Sequence, residues 1–157
     1  MNTGKTWQTR STSSEATERL GEVIGSKLRG GEVIELVSDL GGGKTTFTRG
    51  LVRGVGSQDT VGSPTFTLSR EYMAPSFTIA HFDFYRLAEA GIVADELAEV
   101  VGDPRYVTVV EWGDIVHDVL PAERTNILIT LDAADEQARG ITVTYPESYE
   151  YLLEGLV

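Results

Sequence analysis

The stretch Ser38-Asp39-Leu40-Gly41-Gly42-Gly43-Lys44-Thr45-Thr46 restricts what this chain can fold into more than any other part of it. A short apolar run, Val33-Ile34-Glu35-Leu36-Val37, leads in, and Phe47, Leu51 and Val55 recur at helical spacing on the way out. Strand, glycine-rich turn, Lys-Thr and helix together are the context of a phosphate-binding loop. Glycines let backbone N–H groups turn inward with no Cβ in the way, and the helix start presents unpaired N–H groups to an anion. In that reading Gly41, Gly42, Gly43, Lys44, Thr45 and Thr46 hold phosphate. Lys44 reaches the β- and γ-phosphates, and the Thr45 hydroxyl ligates Mg²⁺. Ser38 stands where GxxxxGK[ST] has its first glycine, a place where a left-handed backbone would strain any other residue. The rival reading is an ordinary glycine-rich turn before a helix.

Length and composition narrow the class. A chain of 157 residues that is 41% hydrophobic is expected to form one globular domain with its own core. No apolar run approaches a membrane span, and Met1 to Trp7 lack the apolar segment of a secretory signal. Cysteine is absent, which removes disulfides and thiolate chemistry and suits the cytosol. The formal net charge of −11 is opposite to the field of a free-standing nucleic-acid binder. An acidic chain working on RNA would do so through a partner that holds it. Solubility alone explains the charge equally well.

Along the chain, Lys5 to Arg10 read as a strand. Thr12-Ser13-Ser14-Glu15 has capping-box spacing before a helix carrying Leu20, Val23, Ile24 and Leu28, which Gly30-Gly31 would end. After the phosphate loop and its helix, Pro64 argues against a regular strand and Thr65 to Tyr72 is extended. Thr65 is either a switch-loop residue near Mg²⁺ or the γ-phosphate, or part of a plain Pro-Thr turn. Phe77 to Arg86 is β-rich and brings Asp83 to its end, where an acid beside a phosphate loop holds Mg²⁺ or its waters. His81 reads as a strand residue with one satisfied hydrogen bond. Leu87 to Val101 is helical, broken near Gly91. Tyr106 to Val110 is a central strand that delivers a second carboxylate, Glu111. Trp112 belongs either to the core or beside a nucleotide. Ile115 to Leu120 suggests a short helix, Asn126–Leu131 and Ile141–Tyr145 a hairpin, and Glu147 to Val157 a last short helix.

Among nucleotide proteins, a conventional GTPase is disfavoured. Its guanine motif needs a lysine well after the phosphate loop, and the only lysines are Lys5, Lys27 and Lys44. Arg86, Arg105, Arg124 and Arg139 are too scattered for the arginine lid of a small-molecule kinase. A kinase and a nucleotide-gated interaction module both remain as alternatives to an ATPase.

Ser38 to Thr46, then Ser63-Pro64-Thr65-Phe66, then His81-Phe82-Asp83-Phe84-Tyr85-Arg86-Leu87, then Glu111-Trp112, in this order and spacing, resemble the TsaE (YjeE) family. The resemblance runs from the first helix to the Ala138-Arg139 hairpin. It implies a three-layer α/β P-loop nucleotide hydrolase fold, with a mainly parallel sheet and a C-terminal antiparallel hairpin. It also implies a cytoplasmic, Mg²⁺-dependent ATPase that binds ATP and ADP. Such a protein supports N6-threonylcarbamoyladenosine formation beside the tRNA anticodon with the TsaB–TsaD pair, and meets tRNA only through those partners. A monomer is the expected state. Carried over by motif, Thr45 and Glu111 would ligate Mg²⁺ and Asp83 would join the metal–water network. Thr65 would lie in a switch-like loop. Trp112, Gly113, Asp114 and Arg139 would lie near the nucleotide, with Ser14 and Thr17 approaching its base. With no arginine finger evident, isolated turnover is expected to be slow.

Overall fold

The computed structural model describes residues 4–38, 43–62, 69–85 and 91–156. The strands in chain order are β1 (Lys5–Ser11), β2 (Val33–Ser38), β3 (Ser69–Met73), β4 (Thr78–Asp83), β5 (Tyr106–Glu111), β6 (Thr125–Leu131) and β7 (Arg139–Tyr145). The helices are α1 (Ser14–Gly25), α2 (Lys44–Gly54) and α3 (Gly91–Val100), with 3-10 helices at Gly113–Val116 and Glu147–Leu153. All seven strands join one sheet in the order β1-β7-β6-β2-β5-β4-β3. Within it β6, β2, β5 and β4 run parallel. The hairpin partner β7 is antiparallel to β6 and carries β1, while β3 closes the other edge antiparallel to β4.

Parallel strands in the middle of a sheet are covered on both faces and so carry apolar residues in unbroken runs. Alternation then sends neighbours to opposite layers. Ile34 and Leu36 of β2, Ile79 of β4, Val107 and Val109 of β5 and Ile127 and Ile129 of β6 pack with Leu20, Ile24, Phe47 and Leu51 of α1 and α2. Val33, Ala80, Phe82 and Val110 face the other way, onto Leu97 of α3 and onto Val116 and Leu120. This mixed, mainly parallel sheet with helices on both sides agrees with the expected architecture.

Four glycines set the distance between α1 and α2. A Cβ on Gly21 would lie 2.3 Å from the Phe47 carbonyl oxygen, and one on Gly25 would lie 2.3 Å from that of Leu51. From the opposite side, a Cβ on Gly50 would meet the Glu18 carbonyl oxygen at 1.8 Å, and one on Gly54 that of Glu22 at 2.2 Å. The backbones are therefore in direct contact, and Glu18 ties the rim of the contact to Arg49 and Arg53. The C-terminal 3-10 helix is held against the α1–β2 connection by buried Glu32, whose carboxylate accepts from the Arg29 and Gly30 backbone N–H groups and from the Tyr151 hydroxyl.

Of the boundaries that differ from the sequence reading, three show a local cause. The N-cap of α1 is Ser13, not Thr12: its hydroxyl accepts from the Ala16 N–H at 3.1 Å, which leaves Glu15 in the first turn without the reciprocal capping-box role. The helix ends at Gly25 rather than at Gly30-Gly31. The following N–H groups of Lys27 and Leu28 bond three residues back, to Ile24 and Gly25, and so tighten out of the α form. After β5 the helical turn begins at Gly113 instead of Ile115 and is 3-10, because Trp112 adopts a left-handed φ of 57° that starts it early. Among the described residues no helix is long and apolar enough to cross a membrane.

Gly50→Ala would favour an isolated helix by about 1 kcal/mol. Here the added methyl must push α1 from α2, so the variant is expected to be destabilised by about 1–3 kcal/mol in urea unfolding. An unchanged or higher midpoint would show that the helices part without cost.

Candidate functional site

The parallel strands end side by side at one edge of the sheet, where open α/β sheets place their sites. β2 stops at Ser38, in extended conformation. Among the described non-glycine residues only Trp112 has a positive φ, so Ser38 causes no backbone strain. Gly41 and Gly42 lie outside the described residues, as do Thr65 and its neighbours. Gly43 is the N-cap of α2 with φ 107°, a conformation open to glycine and strained for other residues. Its carbonyl accepts the first helical bond, from Phe47 at 2.9 Å.

The start of α2 is unlike that of α1. α1 has a serine side-chain cap and a glutamate in its first turn; α2 has neither. Its leading N–H groups, with the positive end of the helix dipole, thus have no carboxylate from the helix's own first turn. Lys44 opens the helix, is buried, and donates from Nζ to the Ser38 carbonyl at 3.3 Å. The side chain thus reaches back to the end of β2. Thr45 and Thr46 are half-buried.

Register supplies the carboxylates. Asp83 and Glu111 are the final residues of β4 and β5 and lie directly opposite each other. Both follow the alternation of Ile79 and of Val107 and Val109, so both belong to the α2 face of the sheet. Each is only 3% exposed. Asp83 accepts from the Tyr85 backbone N–H at 2.9 Å. Glu111 Oε2 is 2.5 Å from Nε2 of buried His81, two residues before Asp83 on the same face of β4. The single hydrogen bond expected of His81 therefore falls on the candidate metal ligand. The hydroxyl of Tyr72, beside the His81 ring, donates to the Gly62 carbonyl at 2.9 Å, and burial pushes its pKa up.

Two clefts flank Lys44. One is lined by Trp112, Gly113 and Asp114 with Glu35 to Ser38 of β2. The Trp112 ring lies 5.2 Å from Lys44 Nζ and packs on Tyr85 at 4.9 Å between centroids, which places it at the loop lysine as well as against the second core. Gly113 is confined, since a Cβ there would be 2.8 Å from Glu35 Oε2. The other cleft brings together Ser14, Thr17, Gly43, Thr46, Gln137 and Arg139. Ser14, Thr17 and Arg139 were singled out in the sequence; Gln137 was not. It sits in the polar β6–β7 connection, where only the pairing of β7 with β1, which carries Arg139 opposite Ser11, reveals that it faces α1 and α2. The candidate residues thus form two groups, one at the end of β2 and one with Gly43 and Thr46 at the start of α2, while Asp83 and Glu111 end β4 and β5 on the α2 face of the sheet.

The donor set suits a magnesium-bound nucleotide. Mg²⁺ takes one or two carboxylates and completes its shell with waters and substrate phosphates. Among the described residues no group of three or more His, Cys, Asp or Glu forms a metal cage. Thr45 in the first turn of α2 and the buried Asp83 and Glu111 at the ends of β4 and β5 are donors of the kind such a shared site would use.

The sheet, the strand-to-helix loop and the carboxylates at the strand ends define an α/β protein of the P-loop class. The family model described as "Threonylcarbamoyl adenosine biosynthesis protein TsaE" matches residues 11–141. The TsaE protein of Bacillus subtilis is 36% identical over 153 residues, covering 94% of this chain and 91% of its own. The Treponema pallidum protein of the same name is 38% identical over 133 residues, 85% and 96% of the two chains. The crystal structure of YdiB from Bacillus subtilis superposes with a TM-score of 0.79 at 32% identity, covering 99% of this chain and 97% of that one. The chain belongs to the TsaE family.

Among the described residues the nearest neighbour of a Cβ added at Gly43 is Arg139 Nε at 3.9 Å, and the φ of 107° strains any side chain there. Gly43→Ala is expected to lose roughly 1–3 kcal/mol of stability in chemical denaturation. A midpoint equal to that of the parent would mean that the loop reaches the same end point through an ordinary φ.

Proposed function

We propose that this chain is an ATPase that supports N6-threonylcarbamoyladenosine formation on tRNA, in the cytoplasm, with the TsaB–TsaD pair as its partner. The observation that carries the proposal is Lys44 at the start of α2, on the sheet face to which the two buried carboxylates ending β4 and β5 belong. Family membership supplies the pathway. The relatives bear the name "tRNA threonylcarbamoyladenosine biosynthesis protein TsaE".

In this reading the α2 N–H groups and Lys44 hold the β- and γ-phosphates of ATP and stabilise charge as the terminal phosphoryl group moves to water. Thr45 and Glu111 hold Mg²⁺, which when bound neutralises phosphate charge. Asp83 orients water near the γ-phosphate, and Thr65 belongs to the loop that responds to it. Trp112, Gly113 and Asp114 line one side of the nucleotide, and Ser14, Thr17 and Arg139 the side of its base. Arg139 donates from its guanidinium to the Glu136 and Ala138 carbonyls at 2.7 and 2.8 Å. Its head is thereby held in its own hairpin, a posture unlike that of an arginine finger over a phosphoryl group. Turnover by the isolated protein is accordingly slow, and the partners complete or order the site. The acidic chain docks on proteins and leaves tRNA contact to them.

Phosphate release from ATP, measured for the chain alone and with the TsaB–TsaD pair of the same organism, tests the proposal. Stimulation by the pair is expected; brisk release unaffected by the pair would reject partner completion. Lys44→Ala is expected to weaken nucleotide affinity about 10- to 100-fold, the loss of a charge-assisted contact, with unfolding little changed. Unaltered ATP affinity would remove the phosphate-loop assignment. Glu111→Ala should lower Mg²⁺-dependent turnover more than Mg²⁺-free nucleotide binding, whereas equal losses would make Glu111 structural.

A further inference from the structure

We propose that His81 is a positioning residue that fixes the Glu111 carboxylate for the cation of the nucleotide site. This rests on the metal role given above to Glu111 and extends it to a side chain with no role in that reading.

His81 is 1% exposed and Glu111 3%. Their contact, Nε2 to Oε2, is 2.5 Å. The other ring nitrogen, Nδ1, is buried and has no hydrogen-bond partner among the described residues. That asymmetry assigns the tautomer. A proton on Nδ1 would leave a buried N–H unsatisfied and would set the bare Nε2 lone pair against a carboxylate oxygen. With the proton on Nε2, the ring donates to Glu111 and leaves at Nδ1 only an acceptor without a partner, the less costly deficiency.

The backbone makes this contact diagonal. His81 lies opposite Val109, and Asp83 opposite Glu111, so the imidazole reaches forward along the sheet edge to the next residue of β5 on its own face. Tyr72, on the edge strand, packs beside the ring with centroids 6.2 Å apart and at a 41° tilt, which limits its swing. The bond therefore holds Oε2 in one direction and sets the carboxylate plane. Oε1 is left as the oxygen that can turn to a cation. Partners that orient a metal-binding carboxylate in this way typically contribute 10- to 100-fold to metal affinity.

A merely structural histidine would support the fold or the nucleotide pocket as a whole. A positioning histidine would act on the gain in nucleotide affinity that Mg²⁺ provides. The test measures binding of the fluorescent nucleotide mant-ADP with Mg²⁺ and with EDTA, for the parent, His81→Leu, His81→Gln and Glu111→Gln, with thermal unfolding of each. The expected result is that His81→Leu loses about tenfold or more of the Mg²⁺-dependent gain and keeps its affinity in EDTA. His81→Gln, whose amide N–H reaches about as far as Nε2, should restore the gain. A full Mg²⁺ gain in His81→Leu, or equal losses with and without Mg²⁺, would overturn the proposal. Glu111→Gln separates the two readings. If it loses the gain while His81→Leu retains it, His81 alone is wrong. If Glu111→Gln also retains it, the metal role of Glu111 fails and this proposal fails with it. Should His81→Leu not fold, ¹⁵N NMR of the parent imidazole decides: Nε2–H whose resonance shifts on adding Mg²⁺ to the mant-ADP complex supports the proposal. An Nδ1–H tautomer, or a resonance indifferent to Mg²⁺, overturns it.

Discussion

Burial of the parallel strands on both faces is the constraint from which the rest of the structure follows. β2, β5 and β4 have helices on either side, so their middles tolerate little charge. On the face that meets α1 and α2, the carboxylates enter where the strands stop, with their direction already set. Because Asp83 and Glu111 continue the alternation that sends Ile79, Val107 and Val109 towards α1 and α2, both acids lie on the side of the sheet from which α2 starts. The same parity places His81 on that side and Phe82 and Val110 on the other. A shift of one residue in the β4–β5 register would keep every element and separate the acids from the loop.

The α1–α2 contact adds the second coordinate. Gly21, Gly25, Gly50 and Gly54 bring the two helix backbones together so closely that no side chain fits between them. Packing density then leaves α2 little freedom to slide or lift. Its N-terminus is held over the strand ends, and α1 is drawn near enough for Ser14 and Thr17 to share a cleft with Gly43 and Thr46. Ser11 and Ser13 support that corner, since the Thr17 hydroxyl bonds to the Ser11 hydroxyl at 2.6 Å in a buried position. Helix packing and site geometry are in this sense the same property.

Polar groups in the interior are distributed by function as well as by stability. Glu35, buried on the opposite face, is paired with Arg124 at 3.0 Å and receives Asn126 at 3.2 Å. Glu32 receives two backbone N–H groups and a tyrosine hydroxyl. Those acids are held by several donors and fasten loops to the body. Glu111 receives an imidazole at one oxygen, which orients it without enclosing it. That contrast separates acids fastened by several donors from one held at a single oxygen.

Much of this was legible in the chain itself. Periodicity located the strands and the principal helices, and local chemistry located the phosphate loop, because a strand, glycines and Lys-Thr must be contiguous to act together. The ends of β4 and β5 were readable as carboxylate positions for the same reason. Where local signals competed, the reading slipped: three adjacent hydroxyl residues could each cap α1, and a left-handed Trp112 was not foreseeable from its neighbours. The pairing of β1 with β7, the parallel seat of β6 on β2, the approach of Gln137 to the α1–α2 corner, the place of Trp112 at Lys44 and the bond from His81 to Glu111 were decided only in three dimensions. Each joins residues far apart in sequence, and strand register and helix contact, which no single segment encodes, determine whether such residues meet.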